Sequence, residues 1–173
     1  MTHKRIDLIV LLLAMAAVIV GCANPKSRQP PKPVPEKVTE ANAPTKVREA
    51  VLNRFPASSV NNIERKSEQG TILYNYELRQ GGRKFKAVVT EDGTILEVAK
   101  QLLTGEAPAS VAHAVQTRFP HATIGDVMEV SKVSGNIETP DYYEAAVTPK
   151  RGKEMTVKIT LDGKLEEETP PTR

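Results

Sequence analysis

The sequence predicts an α+β fold of two tandem αββββ units, each a helix packed on a four-stranded antiparallel sheet. Three observations predict it. One stretch occurs twice: Ala43-Pro44, Val47, Ala50-Val51 and Arg54-Phe55-Pro56 return at equal offsets as Ala107-Pro108, Val111, Ala114-Val115 and Arg118-Phe119-Pro120. A repeat of this period marks a duplicated supersecondary unit. Within each copy the apolar residues fall at helical spacing, and after each copy they alternate with a period of two between glycine turns.

The elements follow in order. Residues 1–22 hold a basic start (His3, Lys4, Arg5), an unbroken apolar run over residues 8–20, and Ile19-Val20-Gly21-Cys22. The run is short of the ~20 residues that span a bilayer and suits a signal-peptide core. Residues 23–42 are polar and carry Pro25, Pro30, Pro31, Pro33 and Pro35. Such a segment buries too little to offset its ordering entropy, so it is expected to be a disordered tether. The first unit occupies residues 43–100. Its helix is expected to start at an Asn42 or Ala43 cap with Pro44 in the first turn. Val47, Ala50, Val51 and Phe55 form its inner stripe, and Pro56 stops it. A strand around residues 63–66 and a Gly70 turn come next. Then Ile72, Tyr74, Tyr76 and Leu78 alternate with polar partners, Gly81-Gly82 makes a hairpin, and Phe85, Ala87 and Val89 point inward. Asp92-Gly93 turns into a fourth strand over residues 94–98.

The second unit, residues 107–168, repeats this plan. Val111, Ala114, Val115 and Phe119 form its helical stripe. Tyr143, Ala145 and Val147, then Met155, Val157 and Ile159, supply inward strand positions, and Asp162-Gly163 matches Asp92-Gly93. The offset between units grows along the chain, and the extra residues are assigned to a loop over 134–141 and a hairpin over 149–153. Residues 169–173 are tail, and the charged run from Glu166 is expected to fray. Tyr74, Tyr76 and Tyr143 are expected to be half-buried with hydroxyls at the rim.

The end of the apolar run resembles a bacterial lipobox. The resemblance implies cleavage after Gly21 and lipidation of Cys22. Acyl chains at ~0.8 kcal/mol per buried methylene then hold the domain at a membrane. The absence of Asp after Cys22 implies the outer membrane, facing the periplasm. The repeat itself, with its Pro-x-x-Val-x-x-Ala-Val-x-x-Arg-Phe-Pro stretch, Ile-x-x-Val step, Tyr-Glu strand and final Asp-Gly hairpin, resembles PepSY-like modules of bacterial envelope proteins. These in turn are described as similar to the β-lactamase inhibitor protein, a tandem α/β repeat. The resemblance implies a non-catalytic envelope module, linked in some members to restraining extracytoplasmic peptidases.

Motifs for chemistry are missing. His113 and His121 stand eight apart across Pro120 without a further ligand at metal spacing. The serines lack a nucleophile elbow or a base, and no phosphate-cradling glycine pattern occurs. The run Glu166-Glu167-Glu168 lacks the spaced oxygens of a calcium loop. Net charge is +3 with both signs interspersed and few aromatics, which disfavours nucleic acid. No cofactor, metal or small-molecule ligand is indicated, and the sequence does not point to an enzyme. Arg54 and Arg118 are read as capping their own helix C-termini. The partners expected are a membrane, through lipid on Cys22, and an envelope protein. Period-two counting puts Glu77, Arg79, Lys84 and Lys86 of the first unit, and Tyr142, Glu144, Thr156 and Lys158 of the second, on the sheet face away from the helices. These eight are the candidate partner-binding face. Two functions stay open: a lipid-anchored periplasmic binder that restrains a peptidase or other envelope enzyme, and a structural or assembly lipoprotein without inhibitory activity.

Overall fold

The computed structural model describes residues 35–169. The signal segment, Cys22 and the greater part of the expected tether lie outside the described residues. Helix α1 (Thr45–Arg54) is followed by strands β2 (Ser59–Glu68), β3 (Thr71–Gln80), β4 (Arg83–Thr90) and β5 (Ile95–Leu102). Helix α2 (Ala109–Arg118) is followed by β6 (Thr123–Ser134), β7 (Ile137–Thr148), β8 (Met155–Thr160) and β9 (Leu165–Thr169). A short β1 (Glu36–Lys37) precedes them and pairs with β2 at Glu64 and Arg65. All the strands join one nine-stranded antiparallel sheet in sequence order. The two four-stranded sets expected under the helices are joined into one continuous sheet by the β5–β6 pairing, which runs from Glu97↔Lys132 to Leu102↔Val127.

Both helices lie on the same face of this sheet. Under α1, Val47, Val51 and Phe55 pack on Tyr74, Tyr76, Leu78, Ala87, Val89 and Val98. Under α2, Val111, Ala114 and Val115 pack on Val127, Tyr143, Ala145, Val147, Val157 and Ile159. Strands β5 and β6 serve both cores: Val98 and Val133 belong with α1, Leu102 and Val127 with α2. Between the cores, on the same face, lies a polar seam in which Lys100 meets Glu129 at 3.5 Å and Ser131 is buried. Side chains two apart on a strand share a face, so these assignments fix the faces of their neighbours except across the register shifts, where Val60 and Ile63, or Ile124 and Val127, reach the same core.

The helix ends repeat. Pro44 and Pro108 are the N-caps themselves, with ψ of 143° and 145°, and not first-turn residues as expected. Their carbonyls accept N–H bonds, from Arg48 at 3.1 Å and from Val111 at 3.0 Å. Each helix stops in a Phe-Pro turn whose next residue, Ala57 or His121, has a positive φ of 58° or 64°. Ser58 N–H and Ala122 N–H close these turns on the Phe55 and Phe119 carbonyls. Each Asp-Gly turn then docks under the start of its helix.

Other expectations are revised. β1 and a 3₁₀ turn (Glu40–Asn42) fall within the expected tether, and Val38 packs on the α1 core. Residues 134–141 are not a loop: β6 and β7 lengthen and turn tightly, with Ser134↔Ile137 the last pair. Pro140 stands opposite Ser131 beside the register shift at Val130/Ser131, an irregularity of the kind that accommodates proline in a strand. The charged run from Glu166 does not fray up to Thr169, because it forms β9 along β8 and Leu165 reaches the α2 core. The tyrosine hydroxyls are not all at the rim. Tyr76 is 1% exposed, its Oη lacks a hydrogen-bond partner, and burial pushes its pKa up to about 12.

Candidate functional site

The sheet face opposite the helices is built from the alternate residues of the same strands. All eight sequence-predicted residues stand on it: Glu77 and Arg79 on β3, Lys84 and Lys86 on β4, Tyr142 and Glu144 on β7, Thr156 and Lys158 on β8. Strands β5 and β6 separate the two groups, and long side chains close the gap. Lys86 Nζ reaches Glu144 Oε2 at 3.1 Å. Lys84 pairs with Asp126 of β6, whose other oxygen accepts a 2.8 Å bond from Gln101 Nε2. The Lys84 ammonium holds the Asp126 carboxyl below the usual range. Lys158 Nζ sits 4.2 Å from the centre of the Tyr142 ring, a cation–π contact. Arg79 and Thr156 are exposed and make no ion pair or side-chain hydrogen bond among the described residues.

Beneath these contacts runs an apolar strip that sequence reasoning missed. Ala99, Met128 and Val130 are buried, and Tyr142 packs against them. The available signal was doubled burial: in Val98-Ala99 and Val127-Met128 both neighbours are apolar, so both sheet faces carry an apolar residue there. Two hollows adjoin the strip. A central one of about 320 Å³ is lined from Asn62, Glu64 and Lys66 on β2 across to Tyr142 and Glu144 on β7. Five strand spacings would cover ~24 Å on a flat sheet, so one small hollow touching both strands means that this face curves inward. A second, of about 410 Å³, lies among Arg79, Lys84, Asp126, Met128, Glu144 and Thr156.

Glu97 is a further residue the sequence did not flag. It faces the central hollow from β5. Burial raises its pKa, and the fields of Asp141 and Glu144 raise it further against the opposing Lys132 and Lys66. Burial likewise raises the Tyr142 phenol, aided by Glu97 and Glu144. The two helix-end arginines sit elsewhere. Arg54 and Arg118 lie over their own Phe55 and Phe119 rings, and pair with Glu138 and Glu168. The reading of each as a cap for its own helix is therefore replaced by a tie from helix end to strand. Among the described residues no group of three or more His, Cys, Asp or Glu side chains could hold a metal ion. No described helix is long and apolar enough to cross a membrane.

No family model matches the chain, and no curated protein matches it. Solved structures do. A Bacteroides eggerthii protein described as periplasmic aligns with a TM-score of 0.54 at 18% identity, over 73% of this chain and 88% of its own. A DUF2874 family protein of Bacteroides uniformis aligns at 0.53 with 13% identity, over 73% and 88%. A BLIP-like protein of Bacteroides fragilis gives 0.49 with 16% identity, over 75% and 88%. At 18% and 13% identity the first two likenesses are of fold.

Proposed function

We propose that this chain is a lipid-anchored protein of the periplasm whose open, inward-curving sheet face binds another envelope protein and thereby restrains a peptidase or other enzyme. The observation that carries the reading is the strip Ala99, Met128, Val130 and Tyr142, which no helix covers and which is roofed only by long polar side chains such as the Lys86–Glu144 pair. An apolar centre with a polar rim is the usual anatomy of a protein interface. On this reading the chain is two tandem PepSY-like units, residues 43–100 and 107–168, carried on a tether from Cys22. The fold likeness to a protein described as periplasmic agrees with the compartment.

The test is capture from envelope extracts by the parent protein and by Arg79→Glu with Thr156→Arg. Both side chains are exposed and unpaired, so the double variant should melt like the parent while losing the captured protein. Capture undiminished by the double variant refutes the face as the site. Identification decides between the two functions: one dominant peptidase supports restraint, and a set of assembly proteins supports the structural role.

A further inference from the structure

The central hollow holds more acceptors than donors. Four carboxylates line it, Glu64, Glu77, Glu97 and Glu144, against two lysines. Both lysines are already engaged, Lys86 with Glu144 at 3.1 Å and Lys66 with Glu68 at 2.8 Å. Among the described residues, Glu77 and Glu97 have neither an ion pair nor a side-chain hydrogen bond, and Glu64 has only the Asn62 amide at 3.3 Å. Asn75 Oδ1, on the same face, is buried without a donor. Glu97 is half-buried and the Lys132 opposite it on β6 pairs with Asp141, so keeping the Glu97 carboxylate charged is costly. The upward shift of Glu97 expresses that cost.

We propose that this hollow receives an arginine side chain of the bound partner, its guanidinium facing Glu97 and Glu77 and its stem lying over Ala99 and Val130. The proposal rests on the reading that this face binds a protein. The acceptors stand on β3 and β5, two strand spacings or ~10 Å apart at the backbone. A planar guanidinium with five donors and no acceptor suits such a spread set, whereas an ammonium is a point charge. An aliphatic stem on an apolar floor with the charge at its tip is how long basic side chains are ordinarily buried.

The experiment is an NMR titration of the protein with acetyl-Leu-Arg-Leu-amide and with the same peptide carrying citrulline, which keeps the shape and loses the charge. The arginine peptide should shift Ala99, Val130 and Tyr142, with the citrulline peptide about tenfold weaker or more. Glu97→Gln should remove that preference by a similar factor. Its melting curve separates lost binding from lost fold. Equal response to both peptides, no response at these residues, or an unchanged preference in Glu97→Gln overturns the proposal. So does a response at the same residues to calcium chloride alone. If the arginine arm fails while Arg79→Glu with Thr156→Arg still abolishes capture, the face reading stands and the arginine falls. If that double variant captures normally, the face reading itself falls.

Discussion

Substituting Gly93 probes how each helix is seated. Gly93 has φ +91°, and a β-carbon on it would lie 2.8 Å from the Lys46 backbone oxygen in the first turn of α1. Two costs add. The left-handed backbone costs an L-residue ~1–2 kcal/mol. The contact forces α1 and the turn apart, an overpacking cost of ~1–3 kcal/mol, because Val47 one residue on is fully buried. Gly93→Ala should therefore lose about 2–5 kcal/mol. Gly81→Ala is the control: φ is +57° and the new carbon would meet nothing within 4 Å, so only the backbone cost applies. Gly163→Ala repeats the test in the second half, where the β-carbon would lie 2.8 Å from Ser110 Cβ. Urea unfolding followed by circular dichroism gives the midpoints, and an unchanged slope shows that the same surface unfolds. If Gly93→Ala costs no more than Gly81→Ala, the helix is not seated on the turn.

Other outcomes follow from the same structure. Glu97→Gln should stabilise the protein at neutral pH. The folded-state pKa lies above the unfolded one, so the folded state holds its proton longer and stability falls as pH rises from ~4.3 through the raised value. The gain should vanish below that window, and a gain equal at acid and neutral pH contradicts the cause given. Ala57→Gly should raise stability by about 0.5–1 kcal/mol, since Ala57 holds φ 58°; His121→Gly does the same at φ 64°. A lower melting temperature in both variants counts against strain at these turns. Cys22→Ser should move the full-length protein out of the detergent phase on partition, and continued acylation of that variant defeats the lipid anchor.

The local features were legible because their causes are local. Helical stripes at Val47/Val51 and Val111/Val115, the alternation through Tyr74, Tyr76 and Leu78, and the Gly81-Gly82 and Asp92-Gly93 turns each need only neighbouring residues. The joining of β5 to β6 was not legible, because it depends on pairs such as Leu102↔Val127 that only the folded sheet brings together. The growing offset between the units made residues 134–141 read as a loop, although β6 and β7 take up the extra residues by lengthening. Glu166-Glu167-Glu168 read as tail because it is charged, yet charge on an edge strand guards it against pairing with other chains. The eight open-face residues came from counting by twos. The strip beneath them did not, because Ala99 and Met128 look like ordinary core until the face is known.

The central claim is that the partner sits on the open face. A photo-crosslinking residue at position 79 places the probe there. One at position 113 places it on the exposed side of α2, since His113 is exposed while Ala114 and Val115 are buried. Irradiation in envelope extracts should give a crosslinked adduct from position 79 and none from position 113. An adduct from position 113 alone would contradict the account.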